Sequence, residues 1–412
     1  MRLTTAAALV LATAPVLVQA PAGAAAPTCF GQKATIVGNA KANEIHGTPR
    51  RDVIAAGAGN DVIRGLDGDD LICGGEGADR ISGGGGNDQL AGDLDAYAAD
   101  SLGRFHKTGD ILLAGSGDDV LHPGYDARPT TGGIVAEPDR VSYVDAPAPA
   151  YVDLRLGLAT VQADGNDQIV VTAGTALGFV GTPYNDVIHG TWKDDRLWGM
   201  GGDDQVFGHD GDDRIQTDGD GSAGADLVDG GAGADSIRSA AGYDTIAGGS
   251  GADSIASTSV NRLAITGGRG RDVVSLPVPA EAGFKVIGGS APDRLVLNPY
   301  PDPAFTPTVR IDQKKGVTSI SRLQAVTFTG KFQNFTEVSL PSRTKTIYKG
   351  SNKGDIVTAS PDTAAVIKGR AGADVLTGSN LKDTLVGGKG FDIGLGKNGK
   401  DRCFKIEKRH SC

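Results

Sequence analysis

The hydrophobic pattern of this chain has a period of nine residues. An aliphatic residue recurs at every ninth position through long stretches, and an Asp stands two positions before it. The first stretch contains the pairs Asp52/Ile54, Asp61/Ile63, Asp70/Ile72, Asp79/Ile81 and Asp88/Leu90. The pattern returns at residues 110–121, 186–255 and 374–403. Repetition at a fixed short period predicts a repeat architecture rather than a set of ordinary globular domains.

Glycines complete the repeat and predict its turns. Six units read Gly-Gly-x-Gly-x-Asp in full, beginning at Gly74, Gly83, Gly230, Gly248, Gly267 and Gly387. Because glycine adopts positive φ, we expect these six residues to form a tight turn and the x-aliphatic-x triplet to form a short strand. Two strands and two turns then close one coil of about 18 residues, with the aliphatic side chains stacked inside. The sequence predicts an all-β fold, a parallel β-roll or β-solenoid with short strand-rich inserts.

The repeats divide the chain into segments. Repeat blocks are expected at 27–124, 179–276 and 346–412, and strand-rich segments at 125–178 and 277–345, where polar and apolar residues alternate. Residues 1–26 are expected to be a secretory signal peptide, because their apolar run is too short for a membrane span and ends in small residues. Phe328, Phe332 and Phe335 form either strand cores, the favoured interpretation, or an exposed patch.

The nonapeptides resemble the RTX, or hemolysin-type, calcium-binding repeat, over about half of the chain. In that family each calcium ion lies between the turns of successive coils and is held by Asp carboxylates and glycine carbonyls. The resemblance implies Asp ligands at Asp61, Asp70, Asp79, Asp88, Asp119, Asp204, Asp213, Asp226, Asp235, Asp244, Asp253, Asp272, Asp374 and Asp392. The implied glycine ligands are Gly75, Gly77, Gly84, Gly86, Gly231, Gly233, Gly249, Gly251, Gly268, Gly270, Gly388 and Gly390.

Some units depart from the family pattern. Tyr184, Lys193 and Leu381 stand at the second turn glycine before Asp186, Asp195 and Asp383, respectively, so these units are expected to bind calcium weakly or not at all. The stretch beginning at Asp218 hints at an EF-hand loop, but Ala223 stands where that loop requires Gly. We favour the repeat interpretation there.

The coil geometry supplies a physical reason for a cation. An 18-residue coil places Asp61 over Asp79 and Asp70 over Asp88, in two rows along opposite edges. Two carboxylates about 5 Å apart repel by roughly 1 kcal/mol in water and by more at lower dielectric. Calcium accepts carboxylate and carbonyl oxygens in flexible six- to eight-fold coordination. We therefore expect calcium binding and folding to be coupled; the alternative is a metal-free glycine-rich solenoid.

Composition and charge narrow the partners. The chain has 412 residues, 63 Gly and only 5% aromatic residues, and its formal net charge is -10. This charge argues against nucleic acid and anionic membranes, and no later stretch is long enough to span a bilayer. Four cysteines in an exported chain favour two disulfides over free buried thiols. Three pairings are possible; local spacing favours Cys403 with Cys412, which leaves Cys29 with Cys73.

The sequence favours a binding protein over the alternative of a secreted hydrolase or toxin-like enzyme that uses the inter-repeat segments. Gly-x-Ser-x-Gly, His-Glu-x-x-His and Walker motifs are absent, and the repeats begin soon after the expected signal peptide. His106 and His122 flank the Asp110–Asp119 unit, but solvated loop histidines are the favoured interpretation. A surface adhesin or scaffold stiffened by calcium, with a glycan or protein partner, remains open. We expect a secreted, extracellular protein that uses the general secretory route, unlike typical RTX proteins with C-terminal signals.

Overall fold

The computed structural model describes residues 26–412 apart from 93–97, 100–104, 108, 125–134, 137, 163, 172–175, 220–222, 260–262, 279–282, 300–305 and 323–325. The expected signal peptide therefore lies almost entirely outside the described residues. The described part contains strands and turns, and within it no helix has the length and apolar character needed to cross a bilayer.

The strands wind into a parallel β-solenoid, as the sequence predicts. Strand registers show the coil length directly: Ile54 pairs with Ile72 on one face and Ile63 pairs with Ile81 on the other, each separated by 18 residues. Successive nine-residue units therefore alternate between two parallel sheets, here called the first face and the second face. The second face contains 17 strands among the described residues.

The first face is interrupted twice by antiparallel strands. Its parallel strands are Ile36–Asn39, Val53–Ala58, Leu71–Glu76, Gln89–Ala91, Val120–His122, Val187–His189, Gln205–Phe207, Leu227–Ala232, Thr245–Ser250, Ala264–Arg269, Lys285–Gly289, Lys345–Lys349, Ala365–Ala371, Thr384–Lys389 and Arg402–Phe404. Its interruptions are Ala150–Asp153, Leu158–Val161 and Gly165–Ile169, then Thr308–Asp312, Val317–Arg322 and Val326–Gln333.

The second face continues without interruption past both insertions. Its strands are Glu44–His46, Val62–Asp67, Arg80–Gly85, Ile111–Ser116, Arg140–Ser142, Gly178–Val180, Arg196–Met200, Arg214–Asp218, Ser236–Ser239, Ser254–Ser257, Val273–Pro277, Asp293–Asn298, Phe335–Ser339, Ile356–Thr358, Val375–Thr377, Ile393–Leu395 and Lys408–His410. Smaller pairs lie outside both faces: Thr28–Cys29 with Gln32–Lys33, Ala98–Ala99 with Phe105–Lys107 and Val135–Ala136, and Ala223–Gly224 with Ala241–Gly242.

The two antiparallel insertions share one topology. In each insertion, three antiparallel strands form a meander within the first face. The last strand of the meander pairs in parallel with the first-face strand that precedes the insertion. The first strand of the meander then carries the next coil, as Val152 pairs with Ile188 and Val309 pairs with Thr346. The strands of both insertions are thus part of the first-face sheet.

The core is a stack of aliphatic side chains between the faces. Ile54, Ile72 and Leu90 lie on the first face, and Ile63 and Ile81 on the second, all essentially inaccessible to solvent. Stacking at every coil removes these side chains from water at roughly 25 cal/mol per Å² of apolar surface. Phe332 and Phe335 are also buried, which agrees with the strand-core interpretation; the side chain of Phe328 lies outside the described residues.

The strands are longer than the predicted triplets. Val53–Ala58 and Arg80–Gly85 each extend through the first glycine positions of the unit. The reason is that those glycine backbones still pair with the next coil, as Gly57 does with Gly75. The turn proper is confined to the residues just before each Asp, where Gly77 and Gly86 have φ of 133° and 122°.

Two disulfides close the ends of the described chain. Cys29 is bonded to Cys73, which ties the residues before the first coil to the first face. Cys403 is bonded to Cys412 across nine residues of the tail. Both bonds agree with the pairing that spacing favours.

Candidate metal centre

The Asp residues of successive coils are joined in columns by their backbones. The N–H of Asp52 donates to Oδ1 of Asp70 at 2.8 Å, and the N–H of Asp70 donates to Oδ1 of Asp88 at the same distance. Each side chain thus accepts a hydrogen bond from the coil before it. We call each such series a column and each member a rung.

Among the described residues, six columns run along the two edges of the solenoid. Their rungs in order are Asp52, Asp70, Asp88, Asp119 and Asp167; Asn43, Asp61, Asp79, Asp110 and Asp139; Asp186, Asp204, Asp226 and Asp244; Asp195, Asp213, Asp235, Asp253, Asp272 and Asp293; Asp355, Asp374, Asp392 and Glu407; and Asp383 and Asp401.

The second carboxylate oxygen of many rungs is buried without a hydrogen-bond partner. Among the described residues this holds for Oδ2 of Asp61, Asp70, Asp88, Asp119, Asp204, Asp213, Asp235, Asp253, Asp272, Asp293, Asp374, Asp392 and Asp401. A buried polar atom without a partner costs about 1–3 kcal/mol, and more if it is charged. Each of these oxygens is therefore costly to bury as part of a carboxylate unless a proton or a cation balances the charge.

Burial makes ionisation of these rungs unfavourable. Burial, with a smaller contribution from neighbouring carboxylates, raises the pKa of Asp119, Asp204 and Asp213 to about 8, even though the backbone N–H at Oδ1 lowers it. The pKa values of Asp88 and Asp235 rise to about 7 for the same leading reason. The sequence predicts that repulsion between like charges is the main penalty. The structure corrects this, because loss of solvation is the larger effect and repulsion is the smaller.

The turns before many rungs share one backbone conformation. In the turns of the full glycine repeat, two residues at positive φ precede the Asp by four and two positions, as Gly231 and Gly233 do before Asp235, with φ of 101° and 145°. The glycine five positions before the Asp leaves no room for a side chain, since a Cβ at Gly230 would lie 2.4 Å from Oδ2 of Asp235. Carboxylate and carbonyl oxygens form the donor set that calcium prefers. Among the described residues, no group of three His, Cys, Asp or Glu side chains is placed so that it could hold a metal ion.

The predicted ligand residues occupy equivalent places in the columns. All fourteen predicted Asp residues are rungs, and the twelve predicted glycines have positive φ in the turns before them. Asp244 differs from the others, because its Oδ2 accepts a hydrogen bond from the hydroxyl of Ser239, which replaces the glycine five positions earlier.

Several rungs were missed by the sequence analysis. Asp139, Asp167, Asp293 and Asp355 continue or begin columns, although their turns lack the glycine pattern. The signal that finds them is the Asp-x-aliphatic triplet, which all four retain. Glu407 ends a column, where its longer side chain accepts from the N–H of Asp392 at 2.7 Å.

The other sequence candidates do not form a second centre among the described residues. His122 packs against the ring of Phe30 at 5.3 Å, and the side chain of His106 lies outside the described residues. Asp218 ends a second-face strand, with no helix before it, so the EF-hand interpretation is wrong there.

An aromatic and histidine cluster on the first face was also missed. His189 Nδ1 lies 3.1 Å from His209 Nε2, and the His189 ring stacks on Phe207 at 4.7 Å. Arg155 lies over the ring of Trp192 at 5.6 Å, and Trp192 is 55% exposed. These residues lie together because the first strand of the first meander pairs Asp153 with His189. No spacing in the sequence indicates this pairing.

Comparison with known families assigns the repeats. The model of the RTX calcium-binding nonapeptide repeat (4 copies) matches residues 37–72, 46–81, 72–96, 180–215, 220–255 and 363–393. These matches cover segments of all six columns and leave both meanders unmatched. No curated protein matches the chain.

Proposed function

Since the chain carries RTX calcium-binding nonapeptide repeats, we propose that it binds several calcium ions along its Asp columns and that this binding drives winding of the solenoid. The observation that carries the proposal is the series of buried Oδ2 atoms without partners, repeated at successive coils. The Asp rungs and the carbonyls of the positive-φ turn residues would hold the ions. When bound, calcium would supply the positive charge that makes ionised, desolvated carboxylates tolerable.

Calcium would act here as a structural partner rather than as a catalyst. The buried carboxylates are ligands that would release protons on binding the cation, because burial holds several of their pKa values at about 6 to 8. Metal binding and folding then form one equilibrium, since the sites exist only when coils are stacked. We propose a non-catalytic, calcium-stiffened rod.

We further propose that the protein works outside the cell. The two disulfides support this compartment, because such bonds persist in oxidising surroundings. Extracellular calcium near 1 mM matches the weak affinities, about 10⁻⁴ to 10⁻³ M, that are usual for extracellular modules.

Isothermal titration of the calcium-stripped protein tests the proposal directly. We expect calcium to bind at several sites per chain, with proton release that increases at lower pH. Magnesium serves as the control, because it demands near-ideal octahedral geometry and loses water reluctantly. A chain that binds no calcium at millimolar concentration would rule out the proposed function.

A second candidate function is recognition of a cell-surface glycan by the aromatic cluster. Tyr151 and Trp192 are 51% and 55% exposed, and the guanidinium of Arg155 is fixed by two hydrogen bonds to Asp153. Exposed aromatic faces beside a held polar group suit the mixed apolar and hydroxyl surface of a sugar. A glycan array compares the native protein with Trp192→Ala, and Tyr243→Ala, another exposed aromatic on a distant coil, is the control. Equal binding by all three proteins, or no binding, would exclude this function.

A further inference from the structure

Each of the six columns begins with a side chain that its own turn satisfies. One column starts at Asn43, whose side-chain oxygen accepts the N–H of Asn39 at 2.9 Å. In the other five, a Thr or Ser four positions before the first Asp donates to it. These capped pairs are Thr48 with Asp52, Thr182 with Asp186, Thr191 with Asp195, Ser351 with Asp355 and Ser379 with Asp383.

The cap uses two donors on one residue. In Ser379 the backbone N–H donates to Oδ2 of Asp383 at 2.6 Å, and the hydroxyl donates to the same oxygen at 2.9 Å. The hydroxyl oxygen also accepts the N–H of Leu381 at 2.9 Å. The units of Asp186, Asp195 and Asp355 contain the same acceptor bond, from Tyr184, Lys193 and Lys353 respectively, at 3.1, 3.1 and 2.9 Å. Four of the five capped turns therefore share all three bonds, and the turn of Asp52 shares the two donor bonds from Thr48.

Capped turns and glycine turns differ in backbone conformation. Before Asp213, His209 and Gly211 have φ of 75° and 119°, and Oδ2 of Asp213 has no partner. Before Asp195, neither Thr191 nor Lys193 has positive φ, and Thr191 turns its N–H and hydroxyl towards the carboxylate instead. Oδ2 of a capped Asp is thus occupied by the protein itself.

Position in the column explains which rungs carry a cap. For three of the first rungs, the N–H that reaches Oδ1 comes from a residue without a carboxylate, namely Ala150 for Asp186, Leu177 for Asp195 and Ala365 for Asp383. A cation shared between successive coils would find an acidic side chain on one side only at such a place. Two of these starts directly follow the first meander, where the stacking of repeats is interrupted.

We propose that the five hydroxyl-capped Asp residues are starting rungs that close without calcium, and that ion-dependent turns stack on them. This inference rests on the proposed function, because it assigns which rungs of the calcium columns take no ion. The cap takes the place of the ion that a first rung cannot share. It also accounts for the units whose turn glycine is replaced by Tyr184, Lys193 or Leu381.

Two neighbouring rungs of one column show the electrostatic difference. Burial raises the pKa of both Asp195 and Asp213, but the Thr191 donors hold Asp195 at about 6, whereas Asp213 reaches about 8. Asp195 is no less buried than Asp213, so exposure does not explain the lower pKa; the Thr191 donors lower the pKa of Asp195, and the carboxylates of Asp195 and Asp235 add to the rise at Asp213.

The test compares Asp195→Asn with Asp213→Asn. Calcium per chain is measured by mass spectrometry of the metal after gel filtration in calcium, and the melting temperature is measured with calcium and with chelator. We expect Asp213→Asn to lose at least one bound ion. Calcium should also raise its melting temperature less than it raises that of the native protein. Asp195→Asn should retain the native calcium count and lose melting temperature equally in both conditions, because Asn cannot accept the two Thr191 donors as a carboxylate does.

Thr191→Val provides a milder variant in case Asp195→Asn does not fold. It removes the hydroxyl but keeps the backbone donor, so we expect a lower melting temperature of similar size with and without calcium, and an unchanged calcium count. Equal ion loss from Asp195→Asn and Asp213→Asn, or ion loss from Thr191→Val, would overturn the inference. Absence of calcium from the native protein would instead remove the proposed function itself.

Discussion

A buried Asp in this solenoid has two oxygens with different roles. Oδ1 accepts a backbone N–H from the preceding coil, so it helps to set the register between coils. In rungs without a Ser or Thr donor, such as Asp213 and Asp235, Oδ2 lies beside the glycine five positions earlier and has no hydrogen-bond partner. One residue type therefore both aligns the stack and creates the demand for a cation.

Stability without calcium should fall as pH rises. The folded-state pKa of Asp119, Asp204 and Asp213 is about 8 against an ordinary value of 3.8, so between these values the folded chain binds more protons than the unfolded chain. Stability is then greatest below about pH 4 to 5, as far as these groups decide it, and is lost progressively up to about pH 8. Melting of the stripped protein at several pH values measures this. A melting temperature that climbs from about pH 5 to about pH 8 would contradict the burial argument.

Asp204→Asn should change stability in opposite directions with and without calcium. Asn keeps an acceptor for the N–H of Asp186 but cannot ionise, so the stripped variant should melt above the native protein at about pH 8. With calcium it should be less stable by the linkage free energy of one site, about 1–3 kcal/mol. Asp203→Asn is the matched control, because Asp203 is the exposed neighbour of Asp204 and the exchange of charge is the same. Parallel shifts in both conditions would count against a cation at this rung.

The turns of the repeat require residues that can adopt positive φ. Gly231 has φ of 101°, and a Cβ there would lie 1.9 Å from the carbonyl oxygen of His209 on the coil below. Gly231→Ala should therefore destabilise the calcium-bound protein by about 1–3 kcal/mol and weaken calcium binding at that turn. Ser236→Ala, on an exposed strand position of the same coil, is the control. Unchanged denaturation midpoints for both variants would contradict the close stacking of turns.

The sequence predicts the strands and turns where the nonapeptide repeat is complete, but not where some of its glycines are replaced. Asp-x-aliphatic together with turn glycines identifies the coil, its length and the stacking of Ile54 on Ile72. The strands of the two meanders could be predicted from the sequence, but their order in the first face could not. That order depends on pairings between residues far apart in the chain, such as Val152 with Ile188. The caps were seen only as missing glycines, because a hydroxyl four residues from an Asp becomes meaningful only when the turn folds.

For the whole molecule, the disulfides restrain the two ends of a one-dimensional stack. Joining residues 44 apart, as in Cys29–Cys73, lowers the entropy of the unfolded chain by an amount worth about 4 kcal/mol, whereas the nine-residue Cys403–Cys412 loop is worth about 2.6. We expect Cys29→Ser/Cys73→Ser to lower the free energy of unfolding more than Cys403→Ser/Cys412→Ser. Chemical denaturation in calcium compares the two double variants, and the reverse order would refute this entropic account.

The solenoid as a whole is a set of aliphatic stacks whose edges contain desolvated carboxylates. Apolar burial favours winding of the coils, and the charged edges oppose it unless a cation neutralises them. Because each coil contacts mainly its neighbours, ions at successive rungs stabilise the stack cooperatively. The central claim is therefore that the folded state depends on calcium.

Thermal unfolding followed by far-ultraviolet circular dichroism, with millimolar calcium and with excess chelator at about pH 8, tests that claim most directly. We predict a β-sheet spectrum and a cooperative transition at high temperature in calcium. In chelator the transition should move to a much lower temperature, so that most of the β-sheet signal is lost at physiological temperature and returns when calcium is restored. The same β-sheet spectrum and the same melting temperature in both conditions would contradict the account.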